Sequence, residues 1–164
     1  MKKEITLILA ALFAVISAPA GAGSSVTNFQ TTATANSYCT LNANNMSFGN
    51  MPFGTRVWVT SSMNVLCSNN TSYSIAINFG HVDASQPQDG DLVGNVSGDL
   101  IDYSVTSTPN GSAKWGYSSP VTGKGTGAVQ NIPMYGVAIT GLYGKPLYPT
   151  PDNYSDTATI VVSY

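Results

Sequence analysis

The chain has 164 residues and a formal net charge of −2, with 43% of its residues hydrophobic and only 9% charged. Six basic residues, none of them clustered beyond the N-terminus, leave no footprint for displacing counterions from nucleic acid or for holding an anionic membrane surface. A chain of this length supports one domain with a real core and is too short for two.

Lys2 and Lys3 precede an apolar run over residues 5–16, and Ala18-Pro19-Ala20-Gly21-Ala22 follows it. That order is a secretory signal peptide with A-x-A cleavage sites ending at Ala20 and Ala22, so residues 1–22 are assigned as signal. The run falls short of the ~20 apolar residues of a membrane span. No later segment is apolar enough to insert, so no membrane insertion is expected. The exported chain keeps four basic residues against seven aspartates. Cys39 and Cys67 are the only cysteines, and in an oxidising compartment such a pair is most simply one disulfide. Closing a loop of about 28 residues is worth about 3.5 kcal/mol in the chain-entropy view.

In chain order, Phe29, Thr31, Ala33, Ala35, Ser37, Cys39 and Leu41 share one parity and suit an extended strand with a modest inner face. Residues 56–67 form a second strand, with Val57, Val59, Met63, Val65 and Cys67 on one side. After the turn at Asn69-Asn70, Tyr73, Ile75, Ile77 and Phe79 alternate with polar or small residues, the clearest strand in the chain. Residues 81–98 read as a polar loop, and residues 100–106 resume alternation with Ile101, Tyr103 and Val105. Pro109-Asn110-Gly111 marks a turn. Glycines dominate residues 120–131, residues 132–140 form a strand apolar on both parities, and residues 141–153 form a Pro/Tyr loop.

From Tyr154 to Tyr164 one further strand is expected, with Ala158, Ile160, Val162 and Tyr164 on one face. No turn or returning strand follows it in this sequence, which leaves an apolar edge that natural sheets rarely tolerate uncovered. No helical period appears outside the signal. About six core strands are counted, one short of an immunoglobulin-like sandwich.

Several segments, in order, resemble the spore coat protein U domain, which is shared with subunits of archaic chaperone–usher pili. They include Ser37-Tyr38-Cys39-Thr40-Leu41, Met46-Ser47-Phe48-Gly49, Asn64-Val65-Leu66-Cys67-Ser68 and Tyr73-Ser74-Ile75-Ala76-Ile77-Asn78-Phe79-Gly80. Leu100-Ile101-Asp102-Tyr103, Trp115-Gly116, Ile132-Pro133-Met134-Tyr135-Gly136 and the terminal Tyr154-Ser155-Asp156-Thr157 strand complete the set.

The resemblance implies an all-β, incomplete immunoglobulin-like sandwich whose final strand comes from a partner by β-strand addition. Residues 23–35 would be an N-terminal donor-strand extension and residues 36–164 the pilin domain. In that arrangement Val26 and Phe29, aided by Thr31 and Ala33, fill a neighbour's groove. Ala158, Ile160, Val162 and Tyr164 form this subunit's own acceptor groove and chaperone edge. The implied partners are a periplasmic chaperone, an outer-membrane usher and neighbouring pilus subunits. The implied location is the periplasm in transit and then the cell surface, with a role in adhesion or biofilm formation. Two departures stand out. Donor segments of such pilins carry several large alternating apolar residues, whereas Thr31, Ala33 and Ala35 are small, and Asn153 replaces a glycine before the terminal tyrosine.

Other chemistries fare less well. His81, Asp83, Asp89 and Asp91 lack the EF-hand series and read as a solvated loop, so no metal, cofactor or catalytic site is expected. Gly123-Lys124-Gly125-Thr126-Gly127 matches no phosphate loop and reads as a β-connection. Trp58, Trp115, Tyr135, Tyr143, Tyr148 and Tyr154 offer a rival reading as a carbohydrate-stacking platform on a tip adhesin. A coat or envelope protein that does not polymerise is the other alternative.

Overall fold

The computed structural model describes residues 21, 23–116, 118–142 and 144–164. The signal assignment, apart from Gly21, and the platform residue Tyr143 lie outside the described residues. The chain divides into two compact units, residues 1–34 and 35–164. In the first, residues 23–34 are exposed throughout and form no strand. Threonine, serine, asparagine and alanine dominate there, and they bury too little apolar area to offset the entropy of ordering a backbone.

The second unit carries nine strands among the described residues: β1 (Cys39–Ala43), β2 (Arg56–Cys67), β3 (Ser72–Asn78), β4 (Gly90–Gly94), β5 (Leu100–Thr106), β6 (Val121–Lys124), β7 (Val129–Ile139), β8 (Tyr154–Ser155) and β9 (Thr159–Ser163). They form a larger sheet of order β1-β2-β7-β5-β4-β8 and a smaller one of order β6-β3-β9, with antiparallel neighbours throughout. The long β2–β7 ladder runs from Arg56↔Ile139 to Leu66↔Val129 and forms the spine. Pro133 sits in β7 beyond Tyr135, where the β5 ladder has already ended, so its missing N–H interrupts at most one flanking ladder.

The core lies between the sheets. Met63 and Val65 of β2, Ile75 and Ile77 of β3, Val105 of β5 and Met134 of β7 are buried there. Trp115, just beyond the Thr106↔Lys114 bridge, is wholly buried among the core side chains. Its Nε1–H donates to the Ile75 carbonyl at 2.8 Å, which satisfies the one polar atom of this large side chain and ties its loop to β3. A buried indole has no face to offer a sugar, so Trp115 leaves the stacking platform. Cys39 and Cys67 are register partners in the β1–β2 ladder and form the expected disulfide.

The strand reading needs four corrections. The first strand begins only at Cys39, because the small residues before it gain little by pairing. The second concerns residues 81–98, which contain β4 and are not merely a polar loop. Gly90 lets the strand pass beneath aromatic rings, since a Cβ there would fall 2.6 Å from Tyr103 Cε1 and 2.8 Å from Phe79 Cδ1. Third, the glycine-rich stretch contains β6, where Gly123 lies against the Tyr73 ring. Finally, the expected terminal strand is two: β8 pairs with β4 in the larger sheet and β9 with β3 in the smaller, with residues 156–158 crossing between them. The two-residue period carries straight across this crossover, which is why sequence alone did not show it.

Candidate functional site

β9 pairs with β3 along one side only, from Ser74↔Ser163 to Asn78↔Thr159, and no described residue pairs with its other side. β1 is likewise the edge of the larger sheet. Between these two edges lies a groove of about 760 Å³. Leu41 and Ala43 of β1 form one wall and Ala158 and Ile160 the other. Ile77, Tyr103, Val105 and Met134 form the floor. A second cavity of about 590 Å³ continues beyond residues 46–48 toward Met51, Phe53, Ile101 and the 149–155 segment.

The floor is apolar because both inner sheet faces meet there, and it stays open because the smaller sheet has three strands against six. Unpaired strand edges over an apolar trough invite one more strand. Among the expected acceptor residues, Ala158 and Ile160 line the groove. Val162 shares their parity and packs against the core, while Tyr164 is 59% exposed and outside the lining. Val26 and Phe29 are 85% and 88% exposed, and Thr31 and Ala33 are exposed as well.

The crossover that presents β9 is held by Asp156, whose side chain is 1% exposed. Its carboxylate accepts from Tyr103 OH at 2.7 Å and from the backbone N–H groups of Gly80 at 3.1 Å and His81 at 3.0 Å. His81 Nδ1 adds a contact at 3.1 Å. Burial pushes this carboxyl upward, but the hydrogen bonds from Tyr103 and His81 outweigh it and hold the group below the usual carboxylate value. Burial, and then the bond to Asp156, raise the Tyr103 phenol. Each group therefore fixes the other in the state that keeps the joint closed.

The acidic loop proves to be a buried ion cluster, which corrects its reading as a solvated one. Asp83, Asp89, Asp91 and Asp102 are each at most 5% exposed. Lys145 donates to Asp83 at 2.6 Å, to Asp91, and to Asp102 at 3.4 Å, while Lys114 meets Asp89 at 2.5 Å. Burial, with Asp83 beside it, lifts Asp102 to about 6, and burial also raises Asp89. Burial would raise Asp83 too, but the bonds from Lys145 and Ser85 N–H bring it below its ordinary value. Burial likewise lowers Lys145 less than Asp83 and Asp91 raise it. Asp83, Asp91 and Asp102 converge closely enough to hold a metal ion, yet the Lys145 ammonium already bonds all three. The cluster fastens the 141–153 loop to β4 and β5, and that loop walls the second cavity. A chain with so few charges that places a lysine among prolines and tyrosines offered a signal of this anchor.

These features define an all-β, immunoglobulin-like sandwich with an uncovered edge strand. The chain matches the Spore Coat Protein U domain over residues 25–161 and belongs to that family. Among solved structures it is similar to the CsuC–CsuE chaperone–tip adhesion subunit pre-assembly complex from the archaic chaperone–usher Csu pili of Acinetobacter baumannii. That match has 20% identity and a TM-score of 0.55, covers 78% of this chain, and spans 40% of the length of the matched one. It is also similar to the structure of a chaperone–usher pilus rod, with 12% identity and a TM-score of 0.53, covering 87% of this chain and 96% of the other. At these identities the likeness is one of fold. No curated protein sequence matches the chain.

Proposed function

We propose that this chain is a structural subunit of a surface pilus, assembled by the chaperone–usher route through donor-strand complementation, and that it carries out no catalysis. The single observation that carries the reading is β9, an edge strand with one free side above an apolar groove of about 760 Å³. Both similar structures, one a chaperone–subunit complex and one a pilus rod, support it, as does a disulfide suited to an oxidising periplasm. Ala158 and Ile160 form the groove wall, while Val162 and Tyr164 extend the edge that a chaperone first pairs with. Residues 23–35 act as the donor for a neighbour, with Phe29, Thr31 and Ala33 pointing into its groove. Val26 stands on the opposite parity and joins them only across a break in the strand. The chain passes through the periplasm to the cell surface, with an outer-membrane usher as its exit.

Deleting residues 23–35 tests this. Fibres should vanish from the cell surface, while a chaperone-bound monomer with an intact Cys39–Cys67 disulfide persists in the periplasm. Fibres that survive the deletion overturn the reading.

A further inference from the structure

The groove beside β9 is partly filled from within. After β1 the chain leaves its ladder at Asn44, whose N–H donates to the Ser62 carbonyl at 3.0 Å. Ser61 Oγ fixes the departure by donating to the carbonyls of Asn44 and Asn45 at 3.1 Å each. Residues 46–48 then cross over β7, and Gly136 seats them. A Cβ on Gly136 would overlap Met46 Sδ and lie 3.0 Å from Val59 Cγ2 and 3.1 Å from Phe48 Cζ. Phe48 stands edge-on to Tyr103 with ring centroids 6.0 Å apart, and Tyr103 meets Phe79 in the same way at 5.2 Å. These edge-to-face contacts hold Phe48 against the Tyr103 ring at the groove. Met46 and Phe48 line both cavities, so they take up depth that an incoming strand would otherwise fill.

Residues 29–35 have the complementary shape. On the Phe29 parity one large side chain is followed by three small ones, Thr31, Ala33 and Ala35. At about 3.3 Å per residue, those three cover a shallow stretch of about 13 Å. Small side chains of this kind would suit a groove whose depth Met46 and Phe48 partly occupy.

We propose that residues 46–48, seated on Gly136, set the groove's depth so that it selects the 23–35 segment of a second copy of this chain over donors with consecutive large side chains. The inference rests on the strand-complementation reading and adds a partner to it: the subunit is built to polymerise with itself.

The test uses the full mature chain carrying a second copy of residues 23–35 behind Tyr164 on a flexible linker. The native tail should raise the Tm above that of the untailed chain. A tail with Ala33→Leu adds three carbons on the groove-facing parity, and if Met46 and Phe48 already occupy that depth, overpacking of that size should remove about half or more of the gain. Met46→Ala in the body should restore the gain for the Leu tail and reduce it for the native one. Because the Leu tail is tested first on an unaltered body, the result does not depend on the Met46 variant folding. A Leu tail that stabilises the unaltered body more than the native tail overturns the depth-matching proposal while leaving complementation intact. If no tail raises the Tm, both fall.

Discussion

Asp156→Ala probes whether one carboxylate holds the β8–β9 crossover. The variant strands the Tyr103 hydroxyl, which donates to Asp156 at 2.7 Å and belongs to a side chain that is 6% exposed. A buried hydrogen bond to a charged group is worth about 1.5–3 kcal/mol. The N–H groups of Gly80 and His81 lie on exposed residues where water replaces the carboxylate, so their loss adds about 1 kcal/mol in total. The expected cost is therefore about 2.5–4 kcal/mol, or about 1.2–2 M in urea midpoint for an m value near 2 kcal/mol/M. Urea unfolding of the tailed chain, followed by emission from buried Trp115, measures it. Tyr103→Phe should cost about half as much, and the double variant should show coupling of about 1–2 kcal/mol. Asp156 is held below its ordinary value of 3.8, so its contribution is complete above that value and fades as pH falls through the lower folded one. The gap between parent and Asp156→Asn should accordingly close below about pH 4. A midpoint for Asp156→Ala within about 0.5 M of the parent at pH 7 would refute the argument, because Tyr103 would then be satisfied by other means.

Lys145→Met removes the cation from three buried aspartates and should cost about 3–5 kcal/mol at pH 7, less at pH 5 where a proton takes its place; equal losses at both would contradict the ion-cluster account. Asp102 is raised to about 6, so its favourable contribution is complete below 3.8 and lost as pH rises through 6. Asp102→Asn should flatten the fall in stability between those values, and an unchanged slope in a pH series of urea midpoints would rule this group out as its source. Replacing Cys39 and Cys67 together by serine should lower stability by about 3.5 kcal/mol, matched by reduction of the parent; a loss under about 1 kcal/mol would mean that the unfolded chain already holds this loop closed.

The strands legible in the sequence were those whose two faces see different media. In β3 the alternation of Tyr73, Ile75 and Ile77 with half-exposed partners follows the burial of its two faces. β4 was hidden because Asp91 behaves as a buried residue only once Lys145, 54 positions away, supplies its counter-charge. β6 was hidden because Gly123 is dictated by the Tyr73 ring above it and not by a local turn. The platform reading of Trp115 was open for a related reason, since an indole reads the same on a surface as in a core until its N–H finds the Ile75 carbonyl.

The sequence alone determined the all-β class, the cysteine pair and the alternation of Ile160 and Val162, since each depends on residue type or on the local period of the backbone. Only the tertiary structure decided that the last eleven residues serve two sheets, that a lysine completes a buried acid cluster, and that Met46 and Phe48 occupy part of the groove beside β9. Those outcomes depend on which distant residues share a volume, and a one-dimensional pattern carries no record of that.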